Sequence, residues 1–315
     1  MLVSIILPIY NVAELITRCM DSIYSQDVDD SSFEIIAVND GSSDNSKAVV
    51  KEYQKIHDNI ILIEQKNGGV ASARNNGINH SSGDYLIFVD PDDALCEFAL
   101  ASFMKLVNKR NSPIFVMRSF NNDADEVYVW HNLYKSGDKK NCIEAINKGY
   151  VRGSVCGCAF KRDFIVSNKI QFPVGVRNGE DTFFFFLCMG YCDELFFYDI
   201  KFYNVIGREN SASRSYSIER IQKCIESVKL VDSIIHNEHN IIRLDLFNFL
   251  KFILLLNTLT TTLHTPGASL FTLRKYRLPQ YKHMECRMIT YKKKQMRLLS
   301  SSISISYLIL KVFQR

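Results

Sequence analysis

Asp90, Asp92 and Asp93 place three carboxylates within four positions, directly after the apolar run Tyr85-Leu86-Ile87-Phe88-Val89. Carboxylates crowded this closely repel one another unless a cation sits among them. A hard divalent ion such as Mg2+ or Mn2+ would bind through one or two of these oxygens and share its other positions with a phosphate. The plain alternative is a solvated turn, because Asp and Pro are ordinary turn formers. Upstream, Asp40 follows a second apolar run, and Arg74 follows the glycine pair Gly68-Gly69. A nucleotide diphosphate needs this set: a carboxylate for base or ribose, a cation for the phosphates, and a metal. Taken singly, Asp40 reads equally well as an Asp-Gly turn and Arg74 as a surface charge.

The elements that position these residues alternate. Val3–Pro8 reads as a first strand that Pro8 ends, since proline has no N–H for the ladder. Ala13–Ser25 has apolar residues Leu15, Cys19, Met20 and Ile23 at helical spacing. Phe33–Val38 is a second strand, followed by a helix over about Ser46–Ile56; Ile60–Ile63 is a third. The Gly-rich segment from Asn67 opens a helix carrying Arg74, and Tyr85–Val89 is the fourth strand. Four β–α alternations with short links predict a doubly wound, mostly parallel sheet flanked by helices. Ligands of such sheets bind outside the carboxyl ends of the strands, where Asp40, Asp90 and Asp92 fall. No GxGxxG follows the first strand, so a dinucleotide fingerprint is absent.

Of the 315 residues, 47% are hydrophobic and 23% charged, a globular balance. The nine cysteines are scattered with no CxxC pair, which argues against structural zinc and for reduced core thiols in a reducing compartment. Leu2–Leu7 is too short for a signal-peptide core, and no uninterrupted apolar run reaches the roughly 20 residues of a spanning helix. The expectation is a cytoplasmic protein. The net charge of +4 is uneven, with nine Lys/Arg and one acid between Arg274 and Arg297. Basic residues interleaved with Tyr276, Met284, Ile289 and Tyr291 fit a helix lying on an anionic membrane. No nucleic-acid motif accompanies them.

Four segments together resemble the nucleotide-binding half of the inverting family 2 glycosyltransferases, which have the GT-A fold: Val3 to Asn11, Val38 to Asp44, Asn67 to Gly77, and Phe88 to Asp93. The resemblance is close over about the first 100 residues and looser to about residue 215. It implies a catalytic domain over 1–215 and a smaller, mostly helical region over 216–315. It implies that Pro8 and Tyr10 line the uracil and ribose pocket and that Asp40 accepts from the uracil N3–H. Asn11 and Gly69 belong to the same nucleotide-sugar set, and Arg74 reaches the base or phosphates. Asp90-Pro91-Asp92 becomes the DxD motif, with Asp90 near the ribose and Asp92 on Mn2+ or Mg2+. The family often has Asp-Asp-Gly-Ser where this chain has Asn39-Asp40.

In the acceptor half, Ser154 to Arg162 resembles the family's strand leading to the acceptor, with Cys156 and Cys158 on one face. Glu180-Asp181 matches the family's acid pair at the start of a helix. Inversion by single displacement needs a carboxylate to take the acceptor hydroxyl's proton. Asp181 is the expected base, with Glu180 orienting it or the acceptor; acids favoured by the helix dipole are the simpler reading. Arg208 and Arg214 lie in a polar loop that could touch the diphosphate. The resemblance implies a UDP-sugar donor, a lipid-linked sugar acceptor of the O-antigen or capsule kind, and peripheral contact with the inner face of the plasma membrane. Two rivals are an aspartyl phosphohydrolase, which would want its nucleophile on the acid-free first strand, and a non-catalytic nucleotide-sugar-binding protein.

Overall fold

The structure, a computed structural model, describes residues 2–121, 137–138, 154–206, 216–235 and 241–278. The expected strand at Val127–Trp130, the loop holding Arg208 and Arg214, and the basic segment beyond residue 278 lie outside these.

The chain runs β1 (Val3–Ile9), α1 (Ile16–Tyr24), β2 (Phe33–Asn39), α2 (Ser46–Gln54), β3 (Ile60–Glu64), α3 (Val70–His80), β4 (Tyr85–Phe88), β5 (Ala94–Leu95), α4 (Ala99–Val107), β6 (Ile114–Asn121), β7 (Gly137–Asp138), β8 (Cys158–Lys161), α5 (Arg162–Ser167), α6 (Glu180–Tyr191), β9 (Glu194–Val205), α7 (Ile218–Ile235), α8 (Ile241–His264) and α9 (Leu270–Lys275). One sheet has the order β3-β2-β1-β4-β8-β6-β9-β5, with β7 also paired to β9. Strands β1 to β4, β6 and β9 share a direction, and β5, β7 and β8 oppose them. The sheet is mostly parallel and GT-A-like.

Strands β1, β2 and β4 are buried on both faces because helices cover both. Alternate residues sort accordingly. Ile6, Ile36, Leu86 and Phe88 join a cluster with α3 and the C-terminal helices α6, α7 and α8. Ile5, Leu7, Ile35 and Ile87 join one with α1 and α4.

Pro8 does not end β1, which continues to Ile9 with Pro8 opposite Val38. Ile9 accepts from Asp40 N on the β2 side, and Ile6 accepts from Val89 N on the β4 side. Even-numbered residues of β1 therefore face β4. The register with β4 ends at Ile6 opposite Phe88, two residues short of Pro8, so the missing N–H falls beyond the paired part of that ladder.

Helix α3 lies close on β1: a Cβ at Gly77 would sit 2.4 Å from Ile6 Cγ2. The expected strand from Ser154 is shorter than its sequence suggested. Gly157 turns at φ +78°, so only Cys158 of the two cysteines lies on β8. The described cysteines carry free thiols.

Helix α8 departs from the sequence reading. Asn257 and the threonines interrupt its apolar run, yet Leu244–His264 has a mean hydropathy of 1.4, long and apolar enough to cross a membrane. In the fold 61% of its most apolar stretch is buried, as in a core helix. Phe183 stacks on Phe247 and Phe186 packs edge-on to Phe249.

Candidate active site

The loops after β1 and β2 are sewn together by side chains. Asn11, at φ 51°, accepts from Ser43 N through Oδ1, while Ser42 Oγ and Ser46 Oγ accept from the N–H groups of Asn11 and Val12. Asp44 accepts from Ala13 N and Ser46 N. Tyr10 stands at this rim, 52% exposed, above buried Pro8.

Asp40, one residue beyond β2, is buried. Its Oδ1 accepts from Gly68 N at 2.7 Å and Gln65 Nε2 at 2.8 Å, and its Oδ2 accepts from Gly69 N at 2.9 Å. An ionised carboxylate has about four acceptor positions, so three protein donors leave one lone pair. Gly69 sits at φ +85° just before α3, a backbone that favours glycine and lets two consecutive amides point at one carboxylate.

The first turns of α3 deliver Arg74, which is 3% exposed. Its Nη2 donates to Asp90 Oδ1 at 2.8 Å, and its Nη1 donates to Glu180 Oε1 at 3.1 Å. The guanidinium lies 5.2 Å from the centre of the Phe172 ring, which stacks on Phe184 of α6 at 3.9 Å. Phe172 is fixed from below: Asn75 Nδ2 donates to its carbonyl and Asn75 Oδ1 accepts from its N–H. Burial works against the charge on Arg74, but Asp90 and Glu180 outweigh it and hold the guanidinium firmly protonated. Arg74 Nε has no hydrogen-bond partner among the described residues.

The three carboxylates after β4 do not share one environment. Asp90 is half-buried, tied to Arg74, and its Oδ2 also accepts from Cys156 Sγ at 3.6 Å. Asp92 is half-buried on the turn, and its carbonyl accepts from Arg18 Nη2 at 2.9 Å. Pro91 between them is buried. Asp93 points inward, accepting from the Tyr203 hydroxyl at 2.9 Å and from Ile206 N at 2.8 Å. Burial pushes its carboxyl up to about 7, and the charges on Asp90 and Asp92 push the same way.

Glu180 and Asp181 open α6 behind Gly179. The four phenylalanines that follow are all buried, as in a helix apolar all round and sunk in the core. They pull the acids at its N-terminus inside. Burial raises the Glu180 carboxyl to about 7, with Asp181 adding to the rise and Arg74 opposing it. Burial raises Asp181 as well, against Arg74, the Thr182 N–H and the Ser154 hydroxyl. Such a carboxyl pair titrates as a unit. The turn before β8 touches both sides of the site, Ser154 at Asp181 and Cys156 at Asp90.

The fold thus gathers Arg74, Asp90, Glu180 and Asp181 around one guanidinium, with Asp92 two residues from Asp90. Tyr10, Asn11 and Asp40 stand at the ends of β1 and β2, with Gly69, just before α3, donating to Asp40 on the same edge of the sheet. Sequence reasoning missed Asn75, Tyr203, Phe172 and Cys156. Asn75 was inside a recognised segment; nothing near Tyr203 signals its role.

This is the GT-A-like α/β class of fold, with a carboxylate-rich site at the strand ends. Residues 4–166 match the family described as glycosyl transferase family 2, and the chain belongs to it. Among curated relatives, it is 29% identical over 188 residues to the poly(ribitol-phosphate) beta-glucosyltransferase of Bacillus spizizenii, covering 58% of this chain and 29% of that one. The chain spans less than a third of the length of the first curated relatives it matches. Of solved structures, S. aureus TarS 1-349 in complex with UDP-GlcNAc aligns with TM-score 0.70 at 18% identity, covering 100% of this chain and 92% of that one. The mannosyltransferase PcManGT of Pyrobaculum calidifontis, in complex with GDP-Man and Mn2+, aligns with TM-score 0.57 at 17% identity, covering 99% and 87%. These likenesses show the fold.

Proposed function

We propose that this chain is an inverting glycosyltransferase moving a sugar from a UDP-sugar to an acceptor hydroxyl by single displacement. The observation that carries the reading is the double ion pair of Arg74. One buried guanidinium holds a carboxylate of the donor motif, Asp90, and a carboxylate of the acid pair, Glu180. Donor-side and acceptor-side groups are fixed relative to each other, as a displacement at one carbon requires.

Asp181 takes the proton of the acceptor hydroxyl. Its raised pKa makes it a stronger base than an ordinary aspartate, closer to the operating pH. Glu180, held by Arg74, orients the pair. Asp40, Tyr10, Pro8, Asn11 and Gly69 form the nucleoside side of the site.

The residues fit a divalent ion of the Mg2+ or Mn2+ kind. Among the described residues no cluster of three or more ligating side chains forms. Asp90 and Asp92 are half-buried carboxylates on one turn, and an ion of this kind takes one or two carboxylates and completes its shell from phosphates and water. Asp92 would hold it, with Asp90 beside it. The bound ion would stabilise negative charge on the departing diphosphate.

The acceptor is a sugar or polyol on a bacterial surface polymer, lipid-linked at the inner face of the plasma membrane. The poly(ribitol-phosphate) beta-glucosyltransferase among the relatives supports a polymer acceptor; O-antigen and capsule acceptors share this chemistry. Peripheral membrane contact is supported by the described start of the basic segment. Phe271 is 75% exposed, beside exposed Arg274, Lys275 and Arg277. Residues 1–215 carry donor binding and catalysis, and 216–315 the helical region that meets the membrane.

The test is a panel of UDP-sugars and GDP-sugars scored by Mn2+-dependent thermal stabilisation, since binding to the native state raises stability by mass action. A UDP-sugar should stabilise wild type and fail to stabilise Asp92→Ala. UDP release only in the presence of acceptor completes the case; metal-independent binding, or release without acceptor at the same rate, counts against it.

A further inference from the structure

We propose that Tyr203 and Asp93 are positioning residues that hold the Asp90-Pro91-Asp92 turn in its donor-binding geometry, so that β9 sets the affinity for the nucleotide and its metal. The inference rests on the reading of Asp90 and Asp92 as the donor site.

Tyr203 is fully buried on β9, opposite Leu95 of β5 in an antiparallel pair that closes the chain just after the turn. Its hydroxyl oxygen accepts from Asp90 N at 3.0 Å and donates to Asp93 Oδ2 at 2.9 Å. A phenol has one proton. The oxygen takes the Asp90 N–H and the proton goes to Asp93 Oδ2, so one hydroxyl joins the two ends of the turn. Asp93 Oδ1 accepts from Ile206 N at 2.8 Å, so both its oxygens are engaged by β9 and the residue just after it. Asp93 N in turn donates to Asp90 O at 3.0 Å.

The consequence is a separation of the three carboxyl groups. Asp93, 7% exposed, is drawn away from the other two and into the fold. Asp90 and Asp92 remain half-buried beside Arg74 and Arg18. Without the phenol the Asp90 N–H and the Asp93 carboxyl each lose that partner, a loss that is relieved by moving the turn. The bridge spans 113 residues of sequence between Tyr203 and Asp90.

The experiment compares wild type, Tyr203→Phe, Asp93→Ala, the double variant and Asp92→Ala, each as the full chain. Calorimetry measures UDP affinity with Mn2+, and steady-state kinetics measures the KM of donor and acceptor separately. Tyr203→Phe should weaken UDP–Mn2+ binding and raise the donor KM by about 10-fold, with the acceptor KM unchanged. The double variant should lose no more than the worse single variant, because both break one bridge. Unchanged UDP affinity in Tyr203→Phe, with Asp92→Ala defective, overturns the positioning role. A parallel rise in both KM values with a lowered Tm also overturns it, as general loosening. Wild-type affinity in Asp92→Ala instead overturns the donor site itself.

Discussion

Arg74 and Glu180 are 106 positions apart and meet at 3.1 Å. The contact joins the helix after β3 to the helix before β9, the two halves of the site. The same guanidinium holds Asp90 at 2.8 Å and lies over the Phe172 ring. A planar cation with a fixed fork of donors meets two carboxylates and an aromatic face at once; an ammonium cannot.

Arg74→Lys should therefore fold but transfer sugar about 100-fold more slowly, because the two carboxylates lose their common reference. Arg74→Ala should also destabilise the chain by about 1–3 kcal/mol, since it leaves partly buried acids without their cation. Urea unfolding and initial rates check both. A lysine variant with near-normal turnover would show that the bridge is not needed for catalysis.

Asp181→Asn should keep UDP–Mn2+ binding and lose transfer by about 100-fold or more, the usual cost of removing a general base. If turnover survives and Glu180→Gln is the inactive variant, the base is Glu180.

Stability should fall as pH rises from about 4 to 7 in metal-free, nucleotide-free buffer. Burial raises Glu180 and Asp93 to about 7 and raises Asp181 as well. In that window the native state keeps protons that the unfolded chain has released, so rising pH favours unfolding. Asp44 acts the other way: against burial, the Ser46 hydroxyl and nearby backbone N–H groups hold it low, and its contribution is lost only below the ordinary aspartate range. The urea midpoint should be lower at pH 8 than at pH 5.5, and Glu180→Gln should flatten the difference. The acidic limb of kcat should lie above the ordinary carboxylate range; a limb near pH 4 would remove the raised base.

Replacing Arg274, Lys275 and Arg277 together with Gln should weaken binding to anionic vesicles by about 100-fold, at about 1 kcal/mol per charge near the surface. Neutral vesicles should show no such change. Substitution serves better than truncation, because Leu273 and Leu278 belong to the core. Equal binding to both vesicle types would place the basic segment elsewhere than on a membrane.

Much of the donor half was legible in the chain. The runs Val3–Ile9 and Phe33–Asn39 could be buried strands only if helices covered both faces, and the acids after the second and fourth strands, Asp40 and Asp90, fall on one edge by topology. Glu180-Asp181 was legible as a pair. Their burial was not, since it follows from Phe183–Phe186 sinking α6 into a core shared with α8. Pro8 misled, because a proline's missing N–H matters only where a neighbour offers an acceptor, and the paired part of the ladder with β4 has ended by then. Cys156 and Cys158 misled because Gly157 takes a left-handed turn between them.

Sequence alone determined the β–α alternation of about the first 90 residues, the fold class, and which residue types stand at those strand ends, because each of these follows from periodicity and turn chemistry within a few positions. Tertiary structure alone decided that Arg74 faces Glu180, that Asp93 turns inward to Tyr203, and that α8 is packed as core. Those pairings join residues far apart along the chain, and a pairing leaves no mark on the local pattern of either partner.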